Sequence, residues 1–385
     1  MRPGALGDFL REEATGGTIL LGATALALVW ANLAGDSYRS VWETELAVGP
    51  GWLHLDLTLG DWVQDGFLAI FFFVAGMEVK RELTVGELAD RRAAALPLFA
   101  AAGGMVVPAL VVLAVTGGAA ASSGAWAIPV ATDIAFALGV LALVGSALPS
   151  GVRVVLLSTA VIDDLAAIGL IAVLFTQDLA LGWLAAGVAV CALYWLSHAY
   201  RFDRAWLLWA LALLAWVCVH ASGVHATVTG ILLGLLTPVR PRAGEDESPV
   251  ERLEHRLHPV SAGVVVPLFA LAAAGIPLAA ASSAVTELLA IGIFAGLVVG
   301  KTIGILGGAG LSLRLGLGTL PDDVRWGDLL PVAVLGGIGY TVSLLIVRLS
   351  LPDVAAQESA GAAVLAGSAV ASVVALLLLR RRIGD

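Results

Sequence analysis

Charge is what this chain lacks. Of its 385 residues only 13% are Asp, Glu, Lys or Arg, about half the roughly 25% of soluble globular domains. That leaves too little charge to cover a soluble molecule of this size. It excludes an ordinary cytosolic enzyme, a nucleic-acid-binding protein and a disordered scaffold. Cysteine is nearly absent. Cys191 and Cys218 both lie in apolar stretches, which suits buried thiols on neighbouring helices and not a disulfide or a metal cluster. A signal-peptide pattern is also missing, because Arg11, Glu12 and Glu13 interrupt the chain before the first of many apolar runs.

Apolar residues make up 59% of the chain, glycine occurs 45 times, and the mean hydropathy is +0.95. A helix crossing a bilayer takes about 20 mostly apolar residues. The pattern predicts an all-α polytopic membrane protein of twelve spans, over 10–34, 59–79, 94–116, 121–145, 151–175, 180–200, 205–220, 223–237, 258–278, 286–310, 328–350 and 358–380. The seventh and eighth are short. Arg201 and Arg204 precede them and Arg240 and Arg242 follow, so an even number of crossings lies between, with a turn near Ser222-Gly223. Counted from a cytoplasmic N-terminus, 18 of the 21 Lys and Arg fall in inside loops. This asymmetry predicts both termini in the cytoplasm. The formal net charge of −9 conceals that orientation.

Two connections are long. Residues 237–257 are polar with three prolines and read as a cytoplasmic linker. Residues 35–58 form the long outer loop. In it Glu45-Leu-Ala-Val, Gly49-Pro50-Gly51 and Trp52-Leu-His-Leu-Asp-Leu alternate like a β-hairpin, which could pair edge to edge with a second copy. A plain loop is the alternative.

Ionisable groups inside spans are costly and are functional hypotheses by default. Here they are Asp65, Asp133, Asp163, Asp164 and Lys301. Asp163 and Asp164 are consecutive in the middle of the fifth span. Burial and a like-charged neighbour both disfavour ionised carboxylates, and two such groups titrate together. They can hold protons, or release them to a hard cation that prefers oxygen ligands. This is the minimum equipment for exchanging protons against a metal cation at one site. A structural hydrogen-bonded pair is the alternative.

The fourth span is interrupted at Pro129-Val-Ala-Thr-Asp133, and the eleventh at Gly336-Gly337-Ile-Gly339. Interruptions in corresponding positions of two halves point to a transporter's binding site and to inverted-topology repeats, here 94–175 and 286–380. If the breaks cross, two helix N-termini face each other, and Asp133 has the sign to neutralise them. Lys301 would neutralise the two C-termini or bond a carboxylate of the fifth span. Alternatively the glycines serve packing and Pro129 only kinks a helix. In the tenth span Gly292, Gly296, Gly300, Gly304 and Gly308 form a stripe for close backbone contact. Lys301 sits one residue off it, facing a packed neighbour. At the inner ends, Glu78, Lys80, Arg81 and Glu82 close the second span, and Glu251 to His258 open the ninth. They suit either pH sensing or solvated helix ends. His225, opening the eighth span, is a weaker candidate of the same kind.

Ala131-Thr-Asp-Ile-Ala-Phe-Ala-Leu-Gly, Ile162-Asp-Asp-Leu, Gly76-Met-Glu-Val-Lys-Arg-Glu-Leu, Gly223-Val-His-Ala-Thr, Arg252-Leu-Glu-His and Gly337-Ile-Gly-Tyr-Thr resemble motifs of the NhaA family of bacterial sodium/proton antiporters. The resemblance runs from Glu12 to the last helix. It implies a cell inner-membrane antiporter, not an enzyme and without cofactor, that exports Na⁺ or Li⁺ for more than one proton. It implies that Asp163 and Asp164 bind the cation and carry protons, with Thr132 beside them as a ligand. It places Thr132 and Asp133 in the crossed-helix assembly, with Lys301 as charge partner. It assigns pH response to Glu78, Arg81, Glu82, His225 and Glu254, and a homodimer to the outer hairpin. Two positions depart from the family pattern. Ala273 stands where Asn is common, and Arg256 where an apolar residue is common.

Rival readings are an antiporter for K⁺ or another cation, an intramembrane aspartyl protease, and a channel. The protease needs one acid on each of two facing helices, whereas adjacent acids on one helix point about 100° apart. A channel has no use for a buried titratable pair.

Overall fold

The computed structural model describes residues 3–49, 55–142, 149–176, 178–202, 204–241 and 244–384. Outside them lie the predicted hairpin tip (50–54), residues 143–145 of the fourth predicted span, and Arg2 and Arg242 of the inside charges.

The chain is helical apart from one small ribbon. The helices are α1 (Pro3–Leu33), α2 (Gly35–Trp42), α3 (Leu59–Thr84), α4 (Arg91–Val115), α5 (Ile134–Ala142), α6 (Ser150–Leu174), α7 (Leu181–Ala199), α8 (Ala205–Ala221) and α9 (Thr227–Leu236). They continue as α10 (Pro249–Ala273), α11 (Leu278–Ala284), α12 (Leu288–Arg314), α13 (Leu329–Leu335), α14 (Tyr340–Ser350) and α15 (Val354–Gly384). Among the described residues eight helices are long and apolar enough to cross a membrane, nine if the bent pair α13–α14 is one span. The 17-residue α8 and the 10-residue α9 are shorter, and the turn predicted between them is present, with Gly223 at φ +83°. Large apolar side chains such as Leu110, Val188, Leu213 and Ile303 stand exposed on the helices. Water would penalise this surface; hydrocarbon does not.

Strand β1 (Glu45–Ala47) pairs antiparallel with β2 (Asp56–Thr58), with Leu46 opposite Leu57. The ribbon precedes α3, whereas Val239 of the long linker and Val250 at the start of α10 pack on Val74 and Met77 further along α3. The bundle therefore has a hairpin end and a linker end.

Three expectations need correction. The predicted loop 35–58 begins with a helix, α2, before the ribbon. The predicted linker 237–257 is shorter, because α10 starts at Pro249. There Ser248 Oγ accepts from the Glu251 amide (3.2 Å) and Glu251 Oε2 accepts from the Ser248 amide (2.7 Å), a capping box with proline at the first helical position. Its charged residues from Glu251 to His258 lie on the first turns of that helix, which they were expected to open. The second span runs on to Thr84 through Lys80, Arg81 and Glu82, since nothing in that polar stretch stops a helix.

The glycine stripe of α12 lies against α4. A Cβ on Gly304 or Gly308 would run into the carbonyls of Gly103 and Phe99, and one on Gly300 would meet Pro108. Such contact brings two backbones together in lipid, where packing replaces the hydrophobic drive. A π-helical turn, Gly296–Gly300, stands directly before Lys301, and α3 has another at Trp62–Phe67. Turns of this kind insert a residue and re-aim the side chains that follow. Cys191 and Cys218 are free and buried on the neighbouring helices α7 and α8.

Candidate functional site

The fourth apolar segment is broken as its proline suggested. A 3₁₀ stretch, Ala125–Val130, gives way to an extended Ala131–Asp133 before α5 begins. The eleventh breaks between α13 and α14, with a bend of 46° measured from Trp326. The two breaks lie against each other and satisfy one another's backbone. Asp133 Oδ1 accepts from the Phe136 amide at the start of α5 (2.9 Å). Its Oδ2 accepts from the Thr341 amide at the start of α14 (3.0 Å). One carboxylate thus caps two helix N-termini, where partial positive charge collects. The other polarity is satisfied as well. The Asp133 amide donates to Ile338 O (2.6 Å), and Ser343 Oγ donates to Ile128 O (2.6 Å).

Beside this junction stands α6. Asp163 is fully buried and Asp164 is 3% exposed. The α12 ammonium reaches Asp163: Lys301 Nζ lies 2.5 Å from Oδ2 with neither side chain exposed. Lys301 also donates to Thr132 Oγ1 (2.9 Å). The single Thr132 hydroxyl hydrogen has Asp163 Oδ2 at 2.8 Å and Gly336 O at 3.0 Å as acceptors. Thr132, Asp163, Lys301 and the eleventh-segment break therefore form one polar knot. Lys301 bonds the carboxylate, the second of its two expected roles.

The knot is incompletely satisfied. Asp163 Oδ1 and Asp164 Oδ1 are buried with no hydrogen-bond donor. Buried acceptors without donors cost free energy and call for a partner, and a proton or a cation supplies one. Among the described residues no three His, Cys, Asp or Glu side chains are grouped to hold a metal. A cation here would draw on two carboxylates, the Thr132 hydroxyl and backbone carbonyl oxygen, a set suited to a hard ion.

Asp164 lines a cavity of about 110 Å³ whose wall also includes Glu78, Arg81, Glu82 and His258. This joins the paired acids to the charged end of α3. Arg81 Nη1 binds both oxygens of Glu254, at 2.7 and 2.8 Å, tying α3 to α10. Glu82 Oε2 accepts from the Glu87 amide (3.2 Å) and shapes the turn after α3. His225 is not brought to this cluster. It stands near the hairpin end with Nε2 3.3 Å from Asp65 Oδ1, and His220 Nδ1 is 4.0 Å from the other Asp65 oxygen. Asp65, the fifth intramembrane charge, is accordingly outside the knot.

Sequence reasoning missed Ser343 and the Gly336 carbonyl. A serine at 0% exposure, one turn into α14, had a weak signal at best, and a carbonyl has none.

A family model described as Na+/H+ antiporter 1 matches residues 7–379. The Na(+)/H(+) antiporter NhaA 1 of Saccharopolyspora erythraea is 55% identical over 378 residues, covering 97% of this chain and 91% of that protein. The Na(+)/H(+) antiporter NhaA of Nocardia farcinica is 53% identical over 377 residues, 97% of this chain and 90% of that protein. The Na(+)/H(+) antiporter NhaA 2 of Frankia alni is 51% identical over 375 residues, 97% of this chain and 77% of that protein.

Proposed function

The chain belongs to the Na+/H+ antiporter 1 family, and from that premise we propose that it is an electrogenic secondary antiporter exporting Na⁺ or Li⁺ for more than one proton, by alternating access at the Asp163–Asp164 pair. In this reading it is a transporter in the bacterial inner membrane, with twelve crossings, both termini cytoplasmic, and inverted repeats 94–175 and 286–380 forming the core around crossed fourth and eleventh spans. The hairpin end faces out and the linker end faces in. A homodimer forms through the outer ribbon, whose β1 residues are all exposed.

The observation that carries the mechanism is the pair of donorless buried oxygens, Asp163 Oδ1 and Asp164 Oδ1, beside Lys301. Facing the outside, the pair takes up protons. Facing inside, it releases them through the cavity along Asp164 and binds Na⁺ through carboxylate oxygens and Thr132. Lys301 holds Asp163 while no cation is bound and gives way when one arrives. Cation and protons compete for the same oxygens, so each displaces the other and the fluxes are coupled. Asp133 balances the two helix N-termini throughout. Unequal charge transfer makes exchange voltage-sensitive, at about 2.3 kcal/mol per charge per 100 mV. Glu78, Arg81, Glu82 and Glu254 surround the inner mouth and set the pH response there, with His225 acting from the opposite end.

Everted vesicles test this reading. Addition of Na⁺ or Li⁺ should release protons from the wild-type lumen, and Asp164→Asn should abolish that release while the protein still folds. Full Na⁺-dependent proton release by Asp164→Asn overturns the site assignment. A response to K⁺ alone would favour the rival antiporter.

A further inference from the structure

A largely buried arginine that the ion site does not use closes a break at the hairpin end. Helix α10 stops at Ala273, and the chain runs non-helical through Ala274–Pro277 before α11. The last carbonyls of a helix have no intrahelical partner. Here Ala272 O accepts from Arg348 Nη2 on α14 at 2.6 Å. The same oxygen lies 2.8 Å from Tyr38 Oη on α2, whose hydrogen also has Leu271 O within 2.9 Å. Tyr38 Oη in turn accepts from the Gly275 amide (3.1 Å). A side chain at Gly275 would collide with the Tyr38 ring, so the tyrosine occupies the space that a bulkier residue would need. Asn32 of α1 serves two more groups of the break: its Nδ2 donates to Ile276 O (3.1 Å) and its Oδ1 accepts from the Leu278 amide (2.7 Å). Asp61, at the start of α3, interacts electrostatically with Arg348.

Arg348 is not an isolated clamp. It rides on α14, whose other end is capped by Asp133 through the Thr341 amide (3.0 Å). Eleven residues, Tyr340–Ser350, make a rod of about 16 Å at 1.5 Å per residue. One rigid half-helix is thus tied at one end to the ion-site junction and at the other to the Ala272 carbonyl.

We propose that Arg348 and Tyr38 are the gate at the hairpin end: by sharing the Ala272 carbonyl they hold α2, α10 and α14 together, and opening towards that side requires their release. The inference rests on the antiport reading. It makes Arg348 a positioning residue, acting on the equilibrium between the two access states through α14. A contact present in one state and absent from the other biases their populations by its own strength.

The test uses the full-length chain in everted and right-side-out vesicles, which offer Na⁺ to the linker end and the hairpin end respectively. Arg348→Met should lower the apparent KM for Na⁺ at the hairpin end and raise it at the linker end, by roughly tenfold or more for loss of one charge-assisted hydrogen bond. Tyr38→Phe, which keeps the arginine contact, should shift both values the same way by less, and it carries the test should Arg348→Met fail to fold. A merely structural loss changes both sides in one direction. Shifts of one sign, or none, overturn the proposal. The wild-type chain separates the two readings. If it exchanges no Na⁺ for protons, the antiport reading falls, and the latch is then judged in purified protein by hydrogen exchange of the Leu278 amide, which donates to Asn32 and not to Tyr38. Faster exchange in Tyr38→Phe upholds the latch, and unchanged exchange overturns it.

Discussion

Lys301 Nζ stands 2.5 Å from Asp163 Oδ2, with both side chains fully buried. Removing one member of such a pair leaves an uncompensated charge, whereas removing both does not. Lys301→Ala alone should therefore cost about 3–5 kcal/mol of stability. Adding Asp163→Asn should recover much of that loss. Thermal unfolding of the purified single and double variants checks this, and additive losses would contradict it.

Asp133 bonds the start of α5 with one oxygen and the start of α14 with the other. Asp133→Ala removes two caps and should cost about 2 kcal/mol, taking roughly 1 for each. Asp133→Asn keeps an acceptor for only one of the two amides and should fall between. Melting temperatures of the three proteins give the order directly.

Gly304 and Gly307 lie three residues apart on α12 but face different surroundings. A Cβ at Gly304 meets the Gly103 backbone, and one at Gly307 meets nothing within 4 Å. Gly304→Ala should force α4 and α12 apart and lower both yield and melting temperature. Gly307→Ala should be neutral or stabilising by about 0.5–1 kcal/mol through helix propensity.

Asp323, in the loop after α12, accepts from the Gly151 amide (3.0 Å) and the Ser150 hydroxyl (3.1 Å) at the start of α6. These donors, the Gly151 amide foremost, hold its carboxyl below the usual aspartate value. Because the folded value is depressed, the stabilisation is complete above the ordinary value of about 3.9 and is lost as pH falls through the lower folded one. Wild type should melt higher than Asp323→Asn near neutrality, and the two should converge below about pH 3.9. A gap independent of pH would refute this role.

Much of this molecule was legible because lipid imposes simple rules. Eight of the long apolar runs form helices long enough to cross a bilayer among the described residues, where hydrocarbon tolerates no unpaired backbone. The breaks at Pro129–Asp133 and Gly336–Gly339 were legible because Pro and Gly interrupt a helix by local chemistry. Helix α10 starts at Pro249, ahead of the ninth apolar run at 258, because Ser248-Pro-Val-Glu251 carries a capping signature that hydropathy does not register. Helix α2 and the π-helical turns left no local signature. They depend on Tyr38 docking against the end of α10 and on helix packing around Gly296–Gly300.

By itself the sequence determined the medium, most of the long apolar helices and the few charges among them, since burial energetics act on each residue wherever it packs. Which charges meet was decided by tertiary structure alone. Lys301 and Asp163 are 138 positions apart and touch because glycines bring α12 against α4. Asp133 reaches Thr341, 208 positions away, because two broken segments lie against each other. His225 and Asp65 face one another at the opposite end from Glu78, although all three read alike as titratable groups near apolar helices. Hydropathy is a property of segments, whereas a binding site is a set of distances between them, and those distances come from packing.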